Sequence, residues 1–119
     1  MPLPHPLPSD LAEVVARRFR LLAEPMRIRL LDKLRDGEAT VGELADALET
    51  SQQNVSKHLA VLAEAGILGR RKEGNRVYYR IADDSVYALC DLVCGNIARQ
   101  IERTAHQRKM FVQATGRAK

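Results

Sequence analysis

The sequence has few aromatic residues and few cysteines, and both scarcities restrict what the chain can do. Its 119 residues include three Tyr, two Phe and no Trp, which disfavours stacking of single-stranded bases on aromatic side chains. Two cysteines are too few for a disulfide scaffold. No apolar run approaches the roughly 20 residues of a membrane span, and no cationic stretch followed by an apolar core indicates a signal peptide. We therefore expect a cytoplasmic, nucleoid-associated protein without a membrane partner.

Motifs for catalysis and nucleotide binding are also missing. The chain has no Cys-x-x-Cys pair and no Gly-rich phosphate loop, so we expect neither a thiol enzyme nor a nucleotide cofactor. What the chain does have is an excess of positive charge, +4 in total with an isoelectric point near 9.4. Such an excess favours a polyanionic partner, and double-stranded DNA fits better than a single strand.

Residues 40–65 show the pattern of two short amphipathic helices joined by a tight turn. Thr40 and Glu43 form a capping box at the start of the first helix. Thr50 or Ser51 caps the second helix, and Gly66 closes it. This arrangement predicts a helix-turn-helix. Apolar residues recur with helical spacing at Val41, Leu44, Ala45 and Leu48 in the first helix and at Val55, Leu59 and Leu62 in the second.

The other face of the second helix bears amide, hydroxyl and imidazole groups instead of the usual mixture of Glu and Lys. Such groups can bond both base edges and phosphate oxygens in a major groove. We therefore predict that this is the recognition helix. Its predicted DNA contacts are Ser51, Gln52, Gln53, Asn54, Ser56, Lys57 and His58.

A basic β-hairpin follows the second helix. Val77, Tyr79 and Ile81 alternate with polar residues, which predicts a half-buried strand, and Gly74-Asn75 suits the hairpin turn. A hairpin at this place is a wing whose cations lie along the flanking phosphates. The alternative is a charged edge that only discourages aggregation. The predicted wing contacts are Arg71, Lys72, Asn75 and Arg76.

Helices also flank this central region. Residues 1–8 are proline-rich and predict a disordered arm, a first helix begins at Ser9, and a last helix runs to about Gln107. The folded domain would thus span residues 9–107, with 108–119 as a flexible basic tail. The apolar stripe of the last helix is longer than so small a core requires, so we expect it to dimerise with the first helix. The predicted interface residues are Leu11, Val15, Phe19, Val86, Leu89, Cys90, Val93, Ile97 and Ile101.

The runs LLAEPMRIRLLDKL, VGELADALETSQQNVSKHLAVLAEAGIL and RRKEGNRVYYRI resemble the ArsR/SmtB family of bacterial winged-helix repressors, over roughly residues 15–105. The resemblance implies a mainly α-helical winged helix-turn-helix fold with four helices, a small β-hairpin and a fifth helix. It also implies a homodimer that binds a palindromic DNA operator and blocks transcription until a metal, metalloid or oxidant acts on it. One departure is Glu49, where the family usually has Gly in the turn. A left-handed φ at Glu49 would cost on the order of 1 kcal/mol.

Cys90 and Cys94 lie four residues apart, on one face of the last helix. One interpretation is that both are small core residues without any metal input. The other is a thiol input for a thiophilic metal, metalloid or oxidant. Neighbours at this spacing have Cβ atoms about 5–6 Å apart, whereas a disulfide needs about 3.8 Å. An ion bridged by both chains, or bonds across the dimer, would fit better than an internal disulfide.

The last-helix zinc pattern of the family is not met, because Asp84 is followed by Ser85 and Val86 where the pattern needs a His. A zinc or nickel sensor of that kind is therefore not expected.

A different class of function also stays open: a winged helix used only as a protein-interaction module. Steep salt dependence of binding to duplex DNA would separate a DNA-binding repressor from that alternative.

Overall fold

The computed structural model describes residues 1–116, which form five α-helices and three short strands. They divide into two compact units, one ending at Asp83 and one consisting of the last helix. No helix within residues 1–116 is both long enough and apolar enough to cross a membrane. In chain order the elements are α1 Ser9–Leu22, α2 Pro25–Lys33, β1 Ala39–Thr40, α3 Val41–Ala47, α4 Gln52–Glu64, β2 Leu68–Glu73, β3 Arg76–Ile81 and α5 Ser85–Thr115.

The core of the first unit is built from the apolar faces of α2, α3 and α4 and the start of the hairpin. Each aliphatic side chain that is fully buried stabilises the fold by about 1.5–3 kcal/mol. The core holds the helix-turn-helix rigidly, which leaves the opposite face of α4 free for a partner. The fully buried side chains are Leu30, Leu31, Leu44, Val55, Leu59, Leu62 and Ile67.

The three strands form one antiparallel sheet in the order β1-β3-β2. The hairpin turn is Gly74-Asn75, with φ +60° at Gly74, as in type II′ turns with Gly at the first central position. The sequence predicted the hairpin but not β1, where Ala39 pairs with Tyr79. Two residues are too few to show alternation, so this strand depends on the tertiary pairing with β3.

The caps of the central helices are confirmed. The backbone N–H of Thr40 donates to Oε1 of Glu43 (3.0 Å), and the N–H of Glu43 donates to Oγ1 of Thr40 (3.2 Å). At the start of α4, Ser51 rather than Thr50 is the cap, since its Oγ accepts from the N–H of Asn54 (3.1 Å). These bonds satisfy backbone donors that the first helical turn leaves without partners.

Helices α3 and α4 end in the same backbone motif. After α3, the N–H of Thr50 donates to the carbonyl of Ala45 (3.0 Å) and the N–H of Glu49 to that of Asp46 (3.3 Å). Equivalent bonds of 3.0 and 3.1 Å close α4 around Gly66. This is the Schellman motif, which needs a left-handed residue. Gly66 has φ +81°, and Glu49 has φ +53°, so Glu49 adopts the left-handed conformation in spite of its Cβ.

Helix α5 is longer than the sequence predicted. It continues to Thr115 instead of ending near Gln107. The prediction was wrong because it followed the apolar stripe, whereas residues 108–115 are mostly good helix formers without Gly or Pro. Gly116, with φ +71°, ends the helix. Residues 117–119 of the predicted tail lie outside the described part of the chain.

Candidate nucleic-acid interface

The amino-terminal half of α4 presents polar side chains to solvent. The buried residues of this helix lie on the opposite face, which packs against the core. The exposed polar residues are Ser51, Gln52, Gln53, Ser56 and Lys57. These five predicted contact residues therefore lie together on one accessible surface, with one cation among amide and hydroxyl groups.

Asn54 is half-buried at the edge of this face. Its Nδ2 donates to Oγ1 of Thr50 (3.2 Å), which ties the side chain to the turn before α4. One amide N–H is thus used within the protein, and the side-chain oxygen and the second N–H remain for a partner.

His58 does not belong to the exposed face, although the sequence interpretation placed it there. Its side chain is buried, with 6% exposure, and Nδ1 accepts a hydrogen bond from Nε of Arg27 in α2 (3.1 Å). Burial, together with the charges of Arg27 and Lys57, lowers the pKa of His58. The imidazole is therefore neutral near pH 7 and holds α4 against α2 instead of reaching DNA.

The spacing of the buried residues could have revealed this. His58 lies three residues after Val55 and four before Leu62, within the i, i+3, i+4, i+7 stripe that faces the core. The chemistry of its imidazole favours the polar face, but its position in the helix places it in the core. Its partner Arg27 also donates through Nη1 to the carbonyl of Leu21 (2.9 Å), and the sequence contained no signal for either bond.

The hairpin β2–β3 is a wing with exposed cations. Lys72 and Arg76 are exposed near its tip, together with Asn75 in the turn. A hydrogen bond with Tyr78 raises the pKa of Arg76, so this guanidinium is cationic at any physiological pH. The guanidinium of Arg70 lies 5.6 Å from the centre of the Tyr79 ring, within the range of a cation–π contact.

Arg71 differs from the other wing cations because acidic side chains surround it. Its Nε donates to Oε2 of Glu38 (3.3 Å) and its Nη2 to the other carboxylate oxygen, while Nη1 donates to Glu73. The guanidinium also stacks on the Tyr78 ring, 4.6 Å from its centre. The hydrogen bond from Arg71 lowers the pKa of Glu38, so the pair is fully ionised at neutral pH. The sequence predicted that the positive charge of Arg71 contacts a DNA phosphate. In the structure, this charge is instead paired with the carboxylates of Glu38 and Glu73.

Comparisons with known proteins agree with this geometry. A helix-turn-helix domain family matches residues 22–71. The chain is 39% identical over 80 residues to the HTH-type transcriptional repressor SmtB of Mycobacterium tuberculosis, covering 67% of this chain and 59% of SmtB. It is 38% identical over 89 residues to the biofilm growth-associated repressor of Agrobacterium fabrum, covering 75% of this chain and 76% of the relative. The chain belongs to the ArsR/SmtB family of winged helix-turn-helix transcriptional regulators. It spans about three fifths of the length of SmtB.

A solved structure supports the ArsR/SmtB fold. The homodimeric winged helix-turn-helix DNA-binding domain of Mb0332 from Mycobacterium bovis, a possible ArsR-family regulator, matches with a TM-score of 0.66 and 36% identity. The match covers 76% of this chain and 83% of that domain. The winged helix-turn-helix architecture predicted from the sequence is therefore confirmed.

The dimer surface predicted for this ArsR/SmtB chain is exposed at four of its nine positions. Leu11, Val15, Leu89 and Cys90 are half-buried. Val86 is a correction, since it is only 4% exposed in the single chain and has almost no surface left for a partner. On the two helices of this surface, sequence reasoning missed four other exposed large apolar side chains, Val14 on α1 and Leu92, Met110 and Phe111 on α5. The exposed members of the predicted set, each at 50% or more, are Phe19, Val93, Ile97 and Ile101.

Cys90 and Cys94 are free thiols on α5, the first half-buried and the second exposed. Within residues 1–116 no group of three or more His, Cys, Asp or Glu side chains could hold a metal ion. Two thiolates alone do not complete the tetrahedral site that a structural zinc requires. The described residues of one chain therefore do not provide a closed metal site.

Proposed function

We propose that this chain is a DNA-binding transcriptional repressor that acts as a homodimer on a palindromic duplex operator, in the cytoplasm at the nucleoid. The observation that supports this most is the exposed polar face of α4 beside a cation-bearing wing. Both belong to the first unit, where α4 packs against β2. A rigid helix of this width fits the major groove of B-form DNA.

The chemistry of the exposed side chains assigns them different roles. Gln52 and Gln53 carry amides that can pair bidentately with adenine N6 and N7, at about 1–3 kcal/mol of discrimination for each good pair. Ser51, Ser56 and Lys57 suit phosphate oxygens, and so do Lys72 and Arg76 of the wing. Base identity would thus be read from the first turn of α4, and the cations would set affinity and register.

The exposed apolar side chains suit a second copy of the chain. An unpaired helix that exposes Val93, Ile97 and Ile101 is costly in water. A twofold dimer covers such a surface with the same surface of its partner. Dimers of this type place their recognition helices roughly 34 Å apart, one turn of DNA, which is why we expect a palindromic operator.

We propose that the thiols of Cys90 and Cys94 receive the inducing signal. Both lie on the helix assigned to the dimer, so a change at these sulfurs would alter the spacing of the two recognition helices. Because the described residues of one chain offer only two thiolates, a bridging thiophilic ion would need ligands from both protomers. An oxidant could instead act on the exposed Cys94 directly.

The test is binding of the full chain to fluorescent duplexes, one from its own upstream DNA and one of random sequence. Binding should fall steeply between about 50 and 200 mM salt, because released counterions drive phosphate contacts. Gln53→Ala should reduce the preference for upstream over random DNA, while Gln107→Ala on the exposed surface of α5 should not. Binding that is absent or independent of salt would support a protein-interaction module instead.

A further inference from the structure

We propose that Glu38 is a positioning residue for DNA binding, which holds the wing in place through Arg71, and that Arg71 is not a phosphate ligand. This inference rests on the proposed function, since it concerns how the wing meets DNA. We call the ion pair between the Glu38 carboxylate and the Arg71 guanidinium the Glu38–Arg71 clamp.

The clamp crosses one face of the three-stranded sheet. Arg71 in β2 lies opposite Tyr78 in β3, and Thr40 in β1 lies opposite Tyr78 on its other side. The guanidinium stacks over the Tyr78 ring and reaches Glu38, two residues before Thr40, with two of its nitrogens. A bidentate Arg–carboxylate pair fixes both direction and distance, so the clamp fixes β2 relative to the segment that leads into β1.

This segment leads directly into the helix-turn-helix. Thr40 ends β1 and is also the N-cap of α3. The ion pair between Arg71 and Glu38 therefore links β2 to the chain two residues before the helix-turn-helix begins. Backbone pairing on this side is short, since only Ala39 and Thr40 pair with β3. A two-stranded hairpin alone is marginally stable in water. Besides the packing of α4 against β2, the clamp therefore adds a side-chain link that helps to set the angle of the wing relative to α3.

The charges around Arg71 argue against a phosphate contact. Nε and both terminal nitrogens already donate to the carboxylates of Glu38 and Glu73. These bonds use three of the five N–H groups of the guanidinium, and both carboxylates would repel a phosphate that approached the other two. Electrostatics alone predicts that removing the charge of Glu38 strengthens DNA binding. A positioning role predicts the opposite, because the freed wing must be ordered again when it binds.

The experiment compares matched charge removals in the full chain, with binding to a random-sequence duplex measured by fluorescence anisotropy at several salt concentrations. Glu38→Gln and Arg71→Gln should each weaken binding by about twofold to fivefold, the size expected for losing one partly exposed pair. Neither should change the salt slope. Lys72→Gln, next to Arg71 on the same strand, should flatten the slope by about one unit as a phosphate contact is lost.

The double variant Glu38→Gln/Arg71→Gln should bind no more weakly than the weaker single variant, because both substitutions break the same pair. Glu64→Gln, which removes an exposed carboxylate from the far end of α4, serves as the charge control. Thermal unfolding establishes that each variant is folded. Amide hydrogen exchange should show faster exchange in β2 and β3 of Glu38→Gln while the core of α4 stays protected.

The positioning role is overturned if Glu38→Gln binds as tightly as the unmodified chain or more tightly. It is also overturned if Arg71→Gln flattens the salt slope as Lys72→Gln does, or if β2 and β3 exchange at the original rate in Glu38→Gln. Failure of the unmodified chain to bind any duplex would overturn the proposed function and the positioning role together, so the two failures are distinguishable.

Discussion

Replacing Glu49 by Gly should stabilise the protein. Glu49 ends α3 with φ +53°, while Gly66 ends α4 with φ +81° and equivalent hydrogen bonds. A side chain with a Cβ in this region costs roughly 1–2 kcal/mol, because the Cβ approaches the following carbonyl oxygen. Glycine removes that cost but loses more backbone entropy on folding, about 0.5–1 kcal/mol. The expected net gain is therefore about 0.5–1 kcal/mol per chain.

The assay is urea unfolding followed by circular dichroism at one fixed protomer concentration, because the stability of a dimer depends on concentration. With a slope near 2 kcal/mol per molar urea, the midpoint of Glu49→Gly should rise by about 0.3–0.5 M. Gly66→Ala is the reverse experiment, since an added Cβ at Gly66 meets no atom within 4 Å. Its expected loss, about 1 kcal/mol, is thus purely conformational.

Glu49→Ala separates the backbone effect from the charge. It removes a carboxylate from the carboxyl end of a helix, where a negative charge is unfavourable, but it keeps the Cβ. If Glu49→Ala stabilises as much as Glu49→Gly, the gain comes from the charge and the argument from φ is wrong. A midpoint for Glu49→Gly at or below that of the unmodified chain would refute it as well.

Three other perturbations test the remaining assignments. His58 has a lowered pKa in the native state, so its contribution to stability should fall as the pH drops below about 6.5. Urea unfolding at pH 7 and 5.5 should show that His58→Gln removes part of this loss, and an identical pH dependence in both proteins would speak against it. Ile97→Asp should give monomers in sedimentation velocity and weaken operator binding; dimers of normal stability would place the interface elsewhere. Cys90→Ser/Cys94→Ser should bind DNA normally but resist release by arsenite or a disulfide oxidant, and a variant that is still released would exclude these thiols as the input.

Local features of this protein could be predicted from the sequence alone. The capping box of Thr40 and Glu43, the Ser51 cap and the Gly66 terminus each involve residues within a few positions of one another. Helical and alternating periodicities likewise act over short stretches of chain, which is why the helix-turn-helix and the hairpin were found. Even the strained turn could be expected, because Glu49 occupies a position where the family usually has Gly.

The tertiary structure decided which of these residues face solvent and which charges are already paired. The partner of the buried His58 is Arg27, 31 residues earlier on α2, and the charge of Arg71 is paired with Glu38, 33 residues away. Strand β1 exists only because β3 lies beside it. Residue chemistry and spacing describe what a side chain could bind. Whether it is available to bind depends on neighbours that only the folded chain brings close.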